Sequence, residues 1–251
     1  MANAAIVYSN LADGAAVSAP TQVILAPAAN VQDQHVGKKW RSRTALSYLT
    51  FDFGATTSID TIAAIGLTAS TVRLRISTSD STGAAGDLYD SMSASVDQNF
   101  AQAVWALQTA VSGRYLRIDL AHSSLDYVEV GRVVAGVRTA FGKNFGFGWS
   151  LTYIDRSVIT ETRGGQTQIT PENTYRAIDL TFSFLTDAEQ RGFVDTVSRS
   201  NALKTDVLLL LDPDSSDLPR DTVWGLMTES TSIMQPDFGI FSKQLKIKER
   251  L

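Results

Sequence analysis

The chain has 251 residues, 44% of them hydrophobic and 19% charged, with a formal net charge of −4 and no cysteine. This is enough length for two ordinary domains and enough apolar material for packed cores, which excludes wholesale disorder. The acidic balance argues against a nonspecific nucleic-acid binder, and the absence of cysteine removes disulfides, thiolate metal sites and cysteine nucleophiles.

The start, Met1 to Tyr8, lacks the basic residues and long apolar core of a secretory signal, and no stretch approaches the roughly 20 apolar residues of a membrane-spanning helix. Synthesis in the cytoplasm and no membrane span are therefore expected. Most of the chain reads in period two, in short runs broken by Gly, Asp, Ser and Asn, which predicts antiparallel strands and an all-β class. After Pro20, Val23, Ile24 and Leu25 form an apolar run that predicts a first strand. Between Thr71 and Ser77, Val72, Leu74 and Ile76 face a core while Arg73 and Arg75 face water. From Tyr115 to Leu120 the pattern repeats with Leu116, Ile118 and Leu120 inward, and Val128 to Val134 supply a further strand.

Glycines alternate with aromatics from Phe141 to Trp149, which marks a seam near residue 140. The segment reads equally as a linker or as a glycine-rich strand. Beyond it, Thr186 and Glu189 have the spacing of a capping box, predicting a helix over 187–199 with Phe193, Val194 and Val197 on its apolar face. Val207 to Leu211 is continuously apolar, as in a strand buried on both faces. Val223, Gly225 and Met227 form one face of a later strand with Trp224 on the other, and Phe241, Lys243, Leu245 and Ile247 alternate in a closing strand.

Little in the chain points to catalysis. The two histidines, His35 and His122, lie in polar loop contexts, and no Gly-x-Ser-x-Gly elbow is present. Asp212, Asp214 and Asp217 read as a polar turn before Pro219 rather than as a carboxylate pair for glycoside hydrolysis. The Asp80 to Asp90 loop carries carboxylates that could hold calcium, but without EF-hand spacing, so a solvated turn is the simpler reading. Gly164-Gly165 reads as a hairpin turn rather than a phosphate cradle. The best local site is Lys38-Lys39-Trp40-Arg41-Ser42-Arg43, where four cations surround an indole. Lys38, Lys39, Trp40, Arg41 and Arg43 could contact an anionic glycan, a phosphate or a partner carboxylate, unless Trp40 simply tucks into the core beneath a basic loop.

Two blocks resemble known families. Trp40, Leu49-Thr50-Phe51-Asp52-Phe53-Gly54, Tyr115-Leu116-Arg117-Ile118-Asp119-Leu120 and Val128-Glu129-Val130-Gly131 resemble the discoidin or galactose-binding-like jelly roll over residues 1–138. That resemblance implies a β-sandwich with a ligand-binding loop end, although no aromatic spikes match the family's loops. Residues 139–251 are similar to distal-tail and minor tail proteins of long-tailed bacteriophages, through Thr162-Arg163-Gly164-Gly165-Gln166, Leu180-x-Phe182-x-Phe184-Leu185-Thr186-x-x-Glu189, Leu211-Asp212-Pro213, Trp224-Gly225-Leu226 and Leu245-Lys246-Ile247-Lys248-Glu249.

The combination implies a two-domain, non-enzymatic structural protein: an N-terminal jelly-roll β-sandwich over 1–138 and a C-terminal β-barrel-like domain with one α-helix over 139–251. As a virion tail-tip or baseplate component it would form a threefold or sixfold homo-oligomeric ring with other tail proteins and present the jelly roll outward, without cofactor, metal or nucleic acid. A host cell-surface glycan is a further partner under this reading. The alternative is the carbohydrate-binding module of an adhesin.

Overall fold

The computed structural model describes residues 2–250, and the chain divides into two compact units, Met1–Ala140 with Leu208–Thr222, and Phe141–Val207 with Val223–Leu251. Both are β-built, as the period-two patterning predicts.

The first unit is organised by a ribbon of two antiparallel strands, Leu46–Ile65 and Gln102–Ala121, each 20 residues long. Their register runs from Leu46 opposite Ala121 to Ile65 opposite Gln102, with bulges between Asp52 and Thr57 and between Ile59 and Thr61. Both ends of the ribbon are largely buried, while its middle around Gly54–Ser58 and Gln108–Ser112 faces water. Strand Thr71–Ser77 pairs along Gln102–Ala121, and Arg132–Gly136 and Ala16–Ser18 pair along Leu46–Ile65. Val72, Leu74 and Ile76 are inward, as are Leu116, Ile118 and Leu120, and they join Trp40, Leu49, Phe51, Ile59, Ile62, Val128, Val130 and Val133 in one core. Within this core edge lies Arg132, fully buried, whose guanidinium donates to both carboxylate oxygens of Asp13 at 2.5 and 2.8 Å and to the Gln32 carbonyl at 2.5 Å. Removing Asp13 would leave the Arg132 guanidinium as a buried charge without its carboxylate. A second sheet sets Ala5–Val7 between Thr139–Ala140 and the strand Val207–Leu210.

In the second unit Ile240–Glu249 lies between Thr222–Met227 and Thr174–Thr186, and Ser150–Asp155 pairs with the far side of Thr174–Thr186. The predicted capping box is present: the Glu189 amide donates to Thr186 Oγ1, and the Glu189 carboxylate accepts from the Thr186 amide. Regular α-helix opens the element at Asp187–Glu189, and wider turns at Gln190–Val194 and Val197–Asn201 carry it on, with Val194 and Val197 buried. The Phe141–Trp149 segment is neither a free linker nor a strand. Phe141 stacks on Phe182 with ring centroids 3.7 Å apart, and Phe145 meets Phe182 and Trp149 edge-on.

Two sequence expectations are corrected. Trp224 does not face outward: it is buried, and its indole N–H donates to Asp206 at 2.5 Å, so Thr222–Met227 is covered on both faces. Val23, Ile24 and Leu25 are not a strand but the tip of a tight turn closed by a single bridge between Val23 and Ala26. The Ala26 amide bonds back to the Val23 carbonyl, so the chain reverses over Ile24 and Leu25 instead of running extended.

Gly225 sits where a side chain cannot. A Cβ there would lie 2.0 Å from the Lys248 carbonyl oxygen on the paired strand. Gly225→Ala should therefore destabilise the protein by about 3 kcal/mol in denaturant unfolding. Gly164→Ala, whose Cβ would meet only the Thr162 hydroxyl at 4.0 Å, should stay within about 0.5 kcal/mol of the parent.

Candidate binding surface

The basic loop is placed by strand Trp40–Arg41, which pairs with Glu129–Val130. Alternation sends Trp40 inward, fully buried, with its indole N–H lacking an acceptor among the described residues, and sends Arg41 outward. Of the five residues singled out in this loop, Trp40 is thus a core residue and only the cations reach the surface.

Three of those cations already have carboxylate partners. Lys38 Nζ lies 2.7 Å from Asp33, which also accepts from the His35 amide and meets its ring nitrogen at 2.8 Å. Arg41 Nε donates to Glu129 at 2.6 Å while its guanidinium stacks 4.3 Å above the Tyr127 ring, and Lys39 Nζ is 3.5 Å from the other Glu129 oxygen. Arg43 is exposed and has no carboxylate partner among the described residues; its amide donates to Thr21 Oγ1. The four cations therefore present one uncommitted charge, Arg43.

The neighbouring turn supplies what the sequence reading missed. The Val23 amide donates to the Arg41 carbonyl at 3.0 Å, the Arg41 amide donates to Ala26 at 3.1 Å, and the Ala26 amide closes the turn on Val23 at 2.9 Å. This backbone clamp holds Ile24 and Leu25 at the tip, where they are 82% and 90% exposed. Leu46 is exposed beside the adjoining segment, where the His122 amide donates to the Ala45 carbonyl. His122 Nδ1 accepts from the Ser124 and Leu125 amides, so it shapes a turn. Ile24, Leu25, Arg43, Leu46 and Tyr127 make a mixed apolar and cationic surface at linked loops. Exposed aliphatic residues held by main-chain bonds mark an interaction site better than scattered ones do.

The other candidates are absorbed locally. Asp80 accepts from Thr82 and the Ala85 amide, Asp87 accepts from the Thr78 amide and hydroxyl, and Asp90 pairs with Arg73, whose hydrogen bonds hold its carboxyl at about 2. Among the described residues no group of three or more metal-ligating side chains converges. Asp217 caps the short helix Leu218–Asp221, and Asp212 and Asp214 bond to Ala2 and Gln108. Gly165, with φ +79°, turns the hairpin between Val158–Glu161 and Thr167–Thr170.

No protein-family model matches the chain, and no curated protein matches it. Similar solved structures include a fucose binding module of Streptococcus pneumoniae, at 13% identity and TM-score 0.41, covering 51% of this chain and 98% of that one. A chitosan-binding module from a chitosanase/glucanase of Paenibacillus sp. IK-5 is 13% identical with TM-score 0.42, covering 51% and 99%. A Clostridium perfringens module in complex with GalNAc-β-1,3-galactose is 10% identical with TM-score 0.44, covering 51% and 100%.

The hydrogen bond from Lys38, followed by those from His35, holds the Asp33 carboxyl well below the usual carboxylate range. A depressed folded value means the contact stabilises above the ordinary aspartate pKa of about 3.9 and is lost as pH falls through the folded midpoint. In a carboxyl-carbon NMR titration Lys38→Ala should move the Asp33 midpoint upward; an unmoved midpoint would show that Lys38 does not engage Asp33 in solution.

Proposed function

We propose that the chain is a non-catalytic binding protein whose first unit engages a cell-surface carbohydrate through the loop end built around Ile24, Leu25, Arg43 and Tyr127. The observation that carries this reading is the clamped Ile24–Leu25 tip. Two large aliphatic side chains are held in water by main-chain hydrogen bonds, next to an uncommitted arginine and an aromatic ring. The arginine and the ring supply polar and stacking contacts, and the tip supplies apolar area that a ligand would cover.

The test is a glycan array with the full chain, followed by calorimetry on whatever is retained. Ile24→Ser/Leu25→Ser and Arg43→Ala should each weaken binding by roughly tenfold, as expected for contact residues. Their melting temperature should not change, since none of the three side chains is buried. Retention of glycan by both variants at parental affinity would remove the loop end from the reading.

A second reading, assembly into a threefold or sixfold ring as part of a phage tail tip, is favoured by one observation. The hairpin Val158–Glu161 and Thr167–Thr170 is exposed at all eight paired positions, and Val158, Ile159 and Ile169 project apolar side chains from it. A two-stranded ribbon is marginal in water unless something covers it. A second copy or another tail protein would do so. Light scattering should then give three or six times the 27.2 kDa chain mass, and Val158→Ser/Ile159→Ser/Ile169→Ser should return it to one. A parent that is monomeric at every concentration tested would dismiss self-assembly.

A further inference from the structure

We infer that the second unit carries a separate binding cleft for an acidic carbohydrate, one bearing carboxylates on its rings. The cleft has a volume of about 820 Å³ and is formed by the ends of the Thr222–Met227 and Ile240–Glu249 strands, the start of Thr174–Thr186, and the base of the exposed hairpin. That volume lies within the roughly 300–1,000 Å³ of small-molecule sites.

Charge sets the class of ligand. Arg156, Lys248 and Arg250 line the cleft in a chain whose net charge is −4. Neither Arg156 nor Lys248 has a carboxylate partner among the described residues; Lys248 Nζ instead sits 4.5 Å from the centre of the Tyr175 ring. Of the two acids on the lining, Glu249 is already held by Arg176, which donates to it from Nε at 3.0 Å and from a terminal nitrogen at 2.6 Å. Among the described residues of the lining, Glu172 is the one acid left to oppose Arg156 and Lys248. A water-exposed cleft with this excess favours an anion, and arginine in particular suits the two oxygens of a carboxylate.

The rest of the lining suits a sugar rather than a bare inorganic ion. Asn173 and Thr228 add an amide and a hydroxyl to the lining, and Tyr175 and Met227 add apolar surface. A pyranose ring has hydroxyls around its edge and C–H groups on its faces, so it can use both. Arg156 follows the strand Ser150–Asp155 and Lys248 lies in Ile240–Glu249, so a ligand that carries carboxylates on more than one ring can engage both, whereas a compact phosphate gains nothing from a second ring.

The experiment is calorimetric titration of the full chain with trigalacturonate, against neutral galactotriose and against inorganic phosphate. Trigalacturonate should bind, weaken as salt is added, and bind roughly tenfold more tightly than either control. Arg156→Ala/Lys248→Ala should remove most of that binding without lowering the melting temperature, because both side chains are exposed. Arg43→Ala should leave it unchanged, which separates this cleft from the loop end of the first unit. No heat with trigalacturonate, equal affinity for galactotriose or phosphate, or parental affinity in the double variant would each overturn the inference.

Discussion

The first unit depends on the register of one long ribbon. Leu46–Ile65 and Gln102–Ala121 run side by side for twenty residues, and the other paired segments of that seven-stranded sheet attach to one of them or to the strand alongside. Because side chains alternate faces, a slip of one residue would send Leu49 and Phe51 to water and Tyr48 and Asp52 inward. The polar groups on the outer face reinforce the same register. Arg114 donates to both oxygens of Asp52, and Asp119 receives Arg75 from one side and Arg117 from its own strand. Arg117 also lies 3.5 Å above the Tyr48 ring. Isolated surface pairs stabilise little, but these join neighbouring strands at fixed rungs and disfavour any other alignment.

A rigid ribbon allows the connecting loops to be irregular. Trp40 anchors the basic loop from beneath, and the segments at 21–26, 41–46 and 122–127 are bonded to one another through the main chain rather than through side-chain packing. The surface side chains at that end are consequently available for contact. The second unit shows the opposite arrangement in its aromatic seam, where Phe141, Phe145 and Phe182 consolidate a stretch that contains three glycines.

Local rules made much of this visible in the sequence. Alternation identified the inward faces of Thr71–Ser77 and Tyr115–Leu120, the Thr186 to Glu189 spacing located the helical start, and Gly164-Gly165 marked a hairpin. The misreadings have equally specific causes. Ile24 and Leu25 look like strand residues because an apolar run carries no record of whether anything covers it. Trp224 was assigned to an outer face because period-two logic fails when both faces of a strand are buried. The full length of Leu46–Ile65 has no continuous signature, because the small and polar residues Gly54-Ala55-Thr56-Thr57-Ser58 interrupt the apolar alternation at the exposed middle of the ribbon. The basic loop looked like a site of four free cations because Glu129, which engages Arg41 and Lys39, lies 88 residues from Arg41 along the chain. Pairing across such a distance leaves no local signature.

The construction of the Ile24–Leu25 turn has an evolutionary consequence. Its geometry is set by amide and carbonyl groups that every non-proline residue possesses, and its two side chains contribute nothing to the core. Selection on folding is therefore nearly blind to what occupies positions 24 and 25. Those positions can drift, and a lineage could change the surface presented there by altering two codons while the scaffold beneath them stays as it is.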